Sequence, residues 1–240
     1  ALTGQLQGLS TFIIEKEARI GGASALSGGG VWIPNNHYLQ EAGVKDTYEN
    51  AKTYMDATIG DRVPEILKET YLKRGPEMLR FFHDNTKHMR FKYATNYSDY
   101  YAHLPGGKPT GRSIEPEIID LRLLKEWEGL ILEPTISTKG FTMTGQEFHK
   151  VNMIMRTIKG KATSLKLGTR MIKSKLTGAR YASLGRALMA RMVLSYKQAG
   201  GKFTVNAAFK DFIVENNRVI GVFVESNGKQ LRIKANRGVI

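Results

Sequence analysis

The sequence contains no cysteine. That excludes disulfides and thiolate metal sites, and it fits a reducing compartment. The five histidines, His37, His83, His88, His103 and His149, show no metal-ligand spacing and read as surface or hydrogen-bonded residues, so no metal site is expected. No apolar run is long enough to span a bilayer. No basic-apolar-small signal segment opens the chain, which begins Ala1-Leu2-Thr3 without Met; the natural start is expected upstream. Acids are in the minority, 22 against 36 Lys and Arg, for a formal charge of +14. Such an excess calls for an anionic partner: nucleic acid, an anionic membrane surface or a polyanionic cofactor. At 240 residues the chain can bury a real core, in one domain or two.

What is present in abundance is glycine at one place. Residues 21–30 hold five glycines, two alanines and two serines, and Val31-Trp32-Ile33-Pro34 closes the run. Each glycine weakens a helix or a strand, so neither is expected there. The stretch suits a backbone that passes close to something flat and phosphate-bearing, with N–H groups and serine hydroxyls as donors. A flexible loop is the plainer alternative. Just upstream, Leu9-Ser10-Thr11-Phe12-Ile13-Ile14 ends in Glu15-Lys16. A continuous apolar strand reads as buried on both faces of a parallel sheet. An acid at its carboxyl end is where a dinucleotide fold holds a ribose, although any strand can be followed by a surface acid. Residues 1–9 read as the end of a helix stopped at Gly8. The G-x-G-x-x-G fingerprint that should precede them is absent, so the chain is expected to be an internal fragment that binds its nucleotide poorly alone.

Residues 37–90 read as three helices. One starts at Asp46-Thr47-Tyr48-Glu49, one at Pro64 and one at Gly75-Pro76. The apolar residues Ile66, Leu67, Tyr71, Leu72, Met78, Leu79, Phe81 and Phe82 are expected to face the core. Residues 91–116 are turn-rich and carry Tyr93, Tyr97, Tyr100 and Tyr101. These rings suit stacking on bases, lining an apolar pocket with hydroxyls to offer, or plain packing. Residues 117–180 look least regular. From Lys139 to Arg180 ten basic residues face the single acid Glu147. Apolar residues such as Ile158, Leu165 and Ile172 alternate with them, as in a segment lying on a membrane surface; a solvated basic face is the alternative. A helix follows from Ser183 to Tyr196, with Leu184, Leu188, Met192 and Tyr196 four apart, ended by Gly200-Gly201. The remainder reads as a β-meander of Phe203–Val205, Phe209–Val214, Val219–Val224 and Leu231–Ile233, turning at Asn216-Asn217 and Asn227-Gly228. Arg237–Ile240 looks like a strand interrupted in mid-course.

The run Glu15-Lys16 followed by Gly21-Gly22-x-Ser24-Ala25-x-Ser27-Gly28-Gly29-x-x-Trp32-x-Pro34 resembles the flavin-binding segment of the FAD-dependent fumarate reductase and ketosteroid dehydrogenase superfamily. Asp99-Tyr100-Tyr101 with Gly111-Arg112-Ser113-Ile114-x-Pro116 is similar to 3-ketosteroid Δ1-dehydrogenases, as is the ending Ile233-Lys234-Ala235-Asn236-Arg237-Gly238-Val239. The resemblance implies an α/β fold: a Rossmann-like FAD-binding domain with a parallel sheet, an inserted helical segment and a β-meander, the catalytic domain lying outside this chain. Residues 1–36 and 183–240 would form the FAD-binding part, and 37–182 the insert.

The resemblance also implies a reaction. Such enzymes introduce a 1,2 double bond into the A-ring of 3-ketosteroids: a tyrosine base takes a proton from carbon 2, and flavin N5 takes a hydride from carbon 1. Donors aimed at the 3-keto oxygen stabilise the developing oxyanion. By the same resemblance Glu15 binds the adenosine ribose with Lys16 beside it. Gly22, Ala23, Ser24, Ala25, Ser27, Gly28 and Gly29 line the pyrophosphate and isoalloxazine, and the backbone at Ala208 and Phe209 meets the adenine. Ala23 stands where such enzymes often carry Thr or Ser, which removes one hydroxyl donor. Tyr100 is the active-site tyrosine that supports the base, which itself is expected beyond residue 240. The implied partners are a 3-ketosteroid, an external electron acceptor and a membrane surface met through 139–180, in the cytoplasm at the inner face of the membrane. A fumarate-type reductase or a 4-ene-forming ketosteroid dehydrogenase is the alternative, and a nucleic-acid-binding module a distant one; no nucleic acid partner is expected.

Overall fold

The computed structural model describes residues 1–133 and 142–240. Helix α1 (Leu2–Leu6) leads past Gly8 into strand β1 (Phe12–Ile14). β1 runs parallel to β7 (Lys202–Thr204), with Phe12 opposite Lys202 and Ile14 opposite Thr204. Two expectations change here. Phe203 belongs to this parallel pair and not to the meander. Phe12 and Ile13 are exposed in this two-stranded pair, where burial on both faces was expected.

Residues 21–30 also depart from expectation, since Gly22–Leu26 form a short helix, α2. Ala25 supplies its buried face, and the glycines before and after it let the chain turn in and out. Strand β2 (Val31–Trp32) follows, then α3 (His37–Glu41), capped by the buried Asn36 side chain. The start read at Thr47 is correct: its hydroxyl accepts from Asn50 N–H and opens α4 (Tyr48–Ile59).

Helix α5 (Glu65–Asn85) replaces the two helices expected from Pro64 and Gly75-Pro76. Pro76 removes one backbone donor. The helix nonetheless runs through it because it is pinned on both sides. Leu72 packs with Ala51 and Met55 on one side, and Leu79 enters the larger core with Ile33 on the other. Ile66, Leu67, Tyr71 and Met78 are exposed, so only part of the expected apolar face is core.

Strands β3 (Phe91–Tyr93) and β4 (Ser113–Pro116) join β2 in an antiparallel sheet ordered β2-β4-β3. β5 (Ile119–Asp120) pairs with β6 (Tyr181–Ala182), and 3₁₀ turns cover Leu121–Leu130. The stretch expected to be irregular contains two helices, α6 (Gly145–Val151) and the 20-residue α7 (Ile158–Thr177). Lys139 lies outside the described residues. Helix α8 (Leu184–Gln198) is the centre of the molecule. From Ser183 to Tyr196 it presents no exposed residue. Ala187, Ala190, Val193 and Leu194 enter one core with Ile20, Leu124 and Ile131; Leu188, Met192 and Tyr196 enter a second with Leu2, Ile33, Tyr38, Phe91 and Ile114. Segments 1–36, 37–182 and 183–240 therefore share cores.

β8 (Ala207–Glu215), β9 (Arg218–Ser226) and β10 (Lys229–Lys234) form the meander, in the order β10-β9-β8. Its turns fall at Asn216-Asn217 and Asn227-Gly228, all four in the left-handed region that such two-residue hairpins demand. Ala235 N–H still donates to Ile220 O, after which residues 236–240 form no strand, against the sequence reading.

Candidate functional site

At the carboxyl end of β1, Glu15 is tied into the sheet through its backbone. Its N–H donates to Thr204 O at 2.9 Å, and its carbonyl accepts from Ala207 N–H at 2.8 Å. The chain crossing from β7 to β8 thus brings Ala208 and Phe209 beside Glu15, although more than 190 residues separate them. The Glu15 carboxylate is half-buried and accepts from Glu17 N–H at 3.0 Å. Lys16 is exposed, with Glu17 3.9 Å from its ammonium.

The glycine ribbon serves two different purposes. Gly29 is buried at φ +67°, and a Cβ there would lie 2.5 Å from the carbonyl carbon of Leu184. A Cβ on Gly185 would lie 2.0 Å from Ser24 O. These two glycines let the ribbon and the start of α8 touch backbone to backbone, sealed by Gly185 N–H donating to Ser27 O at 2.9 Å. Leu184 takes φ +56° to make the turn. Gly22, Gly28 and Gly30, by contrast, are exposed and have nothing within 4 Å of the position a Cβ would occupy. Ala23 and Ser24 are also exposed, whereas Ala25 is buried and faces inward. The Ser27 hydroxyl is engaged locally, donating to Ser24 O at 2.8 Å and accepting from Gly29 N–H at 3.1 Å. The outer face of the ribbon is therefore bare backbone with the first-turn N–H groups of α2 turned to solvent, a surface suited to phosphate oxygens and a flat ring.

The ribbon runs directly into an aromatic cavity. Trp32, two residues past Gly30, forms its wall with Tyr54, Tyr71, Met55, Ile59, Tyr97 and Tyr100, around a volume of about 390 Å³. That lies within the range of sites for small organic ligands. The indole stacks on Tyr71 at 6.2 Å and tilts against Tyr54 at 5.8 Å. The Tyr71 hydroxyl donates to Trp32 O. Tyr54 OH accepts from Tyr101 N–H at 3.0 Å. Tyr100 stands at the rim, 91% exposed, its ring edge-on to Tyr101. His103 neighbours Tyr101 at 6.4 Å.

Sequence reasoning missed what holds this cavity together. Arg112 is fully buried between two carboxylates that are themselves out of solvent. Its Nε donates to both oxygens of Asp46 at 3.0 Å, one terminal nitrogen to Asp99, and the other to Gly106 O at 2.8 Å. Asp99 also accepts from the Trp32 indole at 2.9 Å and from Lys108 N–H at 3.0 Å. The cluster fastens the tyrosine loop to the ribbon's exit. A Cβ at Gly111, φ +74°, would fall 1.6 Å from Tyr97 O, so the loop can close onto itself only with glycine there. The signal available in the sequence was Asp99 and a Gly-Arg within one turn-rich stretch; Asp46 lies far upstream. A buried role for such residues follows only from contacts across 66 and 13 positions.

His37 corrects another expectation. It is buried, and neither ring nitrogen has a hydrogen-bond partner among the described residues. Burial, with Arg80 and His83 nearby, lowers its pKa from 6.5. His83 behaves as expected, its Nδ1 2.9 Å from Tyr38 OH. Among the described residues no group of three His, Asp or Glu could hold a metal ion.

The FAD binding domain family matches residues 1–240. The chain is 42% identical over its whole length to the 3-oxosteroid 1-dehydrogenase of Mycolicibacterium smegmatis, of which it covers 43%. It is 41% identical to that of Mycobacterium tuberculosis, covering 44% of it. The crystal structure of 3-ketosteroid delta1-dehydrogenase from Sterolibacterium denitrificans, in complex with 1,4-androstadiene-3,17-dione, superposes with a TM-score of 0.85 at 31% identity, over 99% of this chain and 44% of that one. The chain thus spans less than half the length of these relatives.

Proposed function

The chain belongs to the FAD binding domain family, and on that premise we propose that it is the flavin-holding part of an enzyme that introduces a 1,2 double bond into the A-ring of 3-ketosteroids. The finer fold reading goes with it: a Rossmann-like FAD-binding unit from 1–36 and 183–240, an insert at 37–182, and catalytic residues supplied by further chain. The observation that carries the proposal is the continuity of the bare glycine ribbon with the aromatic cavity at Trp32. A flavin lying along the first would present its ring to a ligand in the second.

The residues present fit FAD. Glu15, beside Ala208 and Phe209, offers a carboxylate to ribose hydroxyls where the adenine would meet the start of β8. Lys16 sits beside it, exposed. The N–H groups of Gly22, Ala23 and Ser24 would hold the pyrophosphate, and Gly28 leaves room for the ring. Ala25, Ser27 and Gly29 act from behind, by packing and by fixing the ribbon's curve. FAD, when bound, supplies the two-electron oxidant for the hydrogen leaving carbon 1. The aromatic walls exclude water and take up an apolar ring system. Tyr100, with its hydroxyl at the rim, would donate a hydrogen bond to the base that removes the carbon 2 proton, keeping that base poised. The partners on this reading are a 3-ketosteroid, an external electron acceptor and a membrane surface, with the protein on the cytoplasmic side.

The cavity lining has no Arg or Lys among the described residues, and Arg112 behind it is fully paired. The tyrosine-rich lining favours an apolar ketone; a fumarate-type reaction, and the oxocyclohexanecarboxylates for which two other relatives from Sinomonas cyclohexanicum are named, are the competing readings. The test is anaerobic titration of the complete, FAD-loaded protein. 4-Androstene-3,17-dione should bleach the flavin absorbance, and 4-oxocyclohexanecarboxylate should not. Tyr100→Phe should slow the bleaching without releasing flavin. Failure of any 3-ketosteroid to bleach the flavin would overturn the proposal.

A further inference from the structure

Asp99 is bonded through both its carboxylate and its backbone. One carboxylate oxygen accepts from the Trp32 indole at 2.9 Å. The other accepts from Lys108 N–H at 3.0 Å and from Arg112. The Asp99 N–H donates to Lys108 O at 3.0 Å. Tyr100, the next residue, is 91% exposed, with its ring edge-on to Tyr101 at 5.4 Å. With so little of its side chain packed, Tyr100 does not locate itself. The residue after it is pinned instead: Tyr101 N–H donates to Tyr54 OH at 3.0 Å. Tyr54 is buried, tilted against Trp32, with the Arg112 guanidinium 5.5 Å from its ring centre. Tyr100 therefore stands between two fixed peptide units, and its neighbours set its place.

We propose that Asp99 is the positioning residue for Tyr100, holding that tyrosine in register with Trp32 and the end of the glycine ribbon. This deepens the reaction proposed above and rests on the role given there to Tyr100. In that reaction two hydrogens leave neighbouring carbons for different acceptors, the base and the flavin. Both acceptors must therefore keep a fixed geometry to one substrate. Asp99 is tied to the two sides at once. Its side chain holds the indole that lies just past the ribbon, and its backbone runs directly into Tyr100. Arg112 extends the tie through Asp46, which accepts from Asn35 N–H at 2.8 Å and so grips the same ribbon exit. The charge on Asp99 matters here. A neutral acceptor could serve the indole and the Lys108 N–H, but the buried guanidinium is bound most strongly by a carboxylate. A misplacement of about 1 Å at a catalytic group is enough to cost on the order of a hundredfold in rate.

The experiment is a double-mutant cycle on the complete, FAD-loaded protein, read as the rate of anaerobic flavin bleaching by 4-androstene-3,17-dione. Asp99→Asn keeps the side chain's shape and an acceptor for the indole, and gives up the charge that holds Arg112. Alone it should slow bleaching on the order of ten- to a hundredfold, with little change in the steroid concentration that gives half the maximal rate. The acid limb of the pH–rate profile should move to higher pH, because a base that loses its hydrogen-bond donor is harder to ionise. In the Tyr100→Phe background most of this loss should vanish, since the residue being positioned is already disabled. Where Asp99→Asn does not retain FAD, Arg112→Lys carries the same cycle, keeping a charge for Asp99 and losing the fork. The proposal is overturned if the charge-changing variant bleaches as fast as the wild type, or if its loss is equal with and without the Tyr100 hydroxyl, since the effect would then be on stability alone. It also falls if Tyr100→Phe bleaches at the wild-type rate, for there is then nothing to position. A wild-type flavin that no 3-ketosteroid bleaches is a different result, and it overturns the reaction itself together with this inference.

Discussion

Arg112 is the residue on which the candidate site depends most. It neutralises Asp46 and Asp99 in a place water does not reach, and it links the start of α4, the tyrosine loop and, through Asp99, the Trp32 indole. Removing it leaves two buried carboxylates without a counter-charge. Arg112→Ala should cost roughly 3–5 kcal/mol of stability, read as a fall in denaturation midpoint. Arg112→Lys keeps a charge but loses the fork, so it should retain the fold better than Ala and still loosen the cavity, seen as a shift in Trp32 fluorescence. Arg191 is a comparable case in α8. It is buried, its guanidinium donates to the carbonyls of His88, Glu117 and Ile118, and burial lowers its pKa.

Among the elements, the glycine ribbon offers the sharpest test, because neighbouring glycines have opposite reasons to be there. Gly29 meets the backbone of Leu184 and Gly185, and Gly28 meets nothing. Gly29→Ala should lose roughly 2–4 kcal/mol of stability in the flavin-free protein, from the left-handed backbone and the overlap with α8. Gly28→Ala should leave the flavin-free melting temperature unchanged and weaken FAD binding. If both variants lose stability alike and bind FAD equally, the outer face of the ribbon is not a cofactor surface. Elsewhere the elements divide by what stabilises them. Thr47, Asn36 and the capping box at Thr144 and Glu147 are local devices that act wherever they occur. The passage of α5 through Pro76 is not local; it reflects two separate clusters gripping one helix.

For the whole molecule, the charge excess and the buried ionisable groups set the response to acid. His37 and Glu147, both buried, act in succession. His37 is buried with its pKa lowered from 6.5, so the folded state resists its protonation and stability declines as pH falls below that value. Glu147 follows. Burial works against its charge, but Arg170 and Lys166 hold its carboxyl down at about 2, against an ordinary 4.5. Its contribution is complete above pH 4.5 and is lost as pH falls through about 2. Denaturation midpoints should therefore drop in two stages on acidification, and Glu147→Gln should diminish the lower one, to which Asp120 and the other paired carboxylates also contribute. Hydrogen exchange should locate that stage at the α6–α7 corner. A single transition unaffected by Glu147→Gln would show that the corner does not govern acid stability.

Much of this protein was fixed by short-range chemistry. The hairpin turns at Asn216-Asn217 and Asn227-Gly228, the cap at Thr47, and the crowding of glycine before Trp32 all reflect demands a backbone makes within a few residues, so they stand in the amino-acid order itself. The kinship of the ribbon and of the Asp99–Pro116 motif was legible for the same reason. Other features came only from distant parts meeting. The pairing of Phe203 with Ile13, the burial of Arg112 between Asp46 and Asp99, and the exposure of Ile158, Leu165 and Ile172 on α7 each depend on contacts that leave no period in the chain. Whether an aliphatic residue such as Leu165 is core or surface is decided by which face of its helix the neighbours occupy, and that is set in three dimensions.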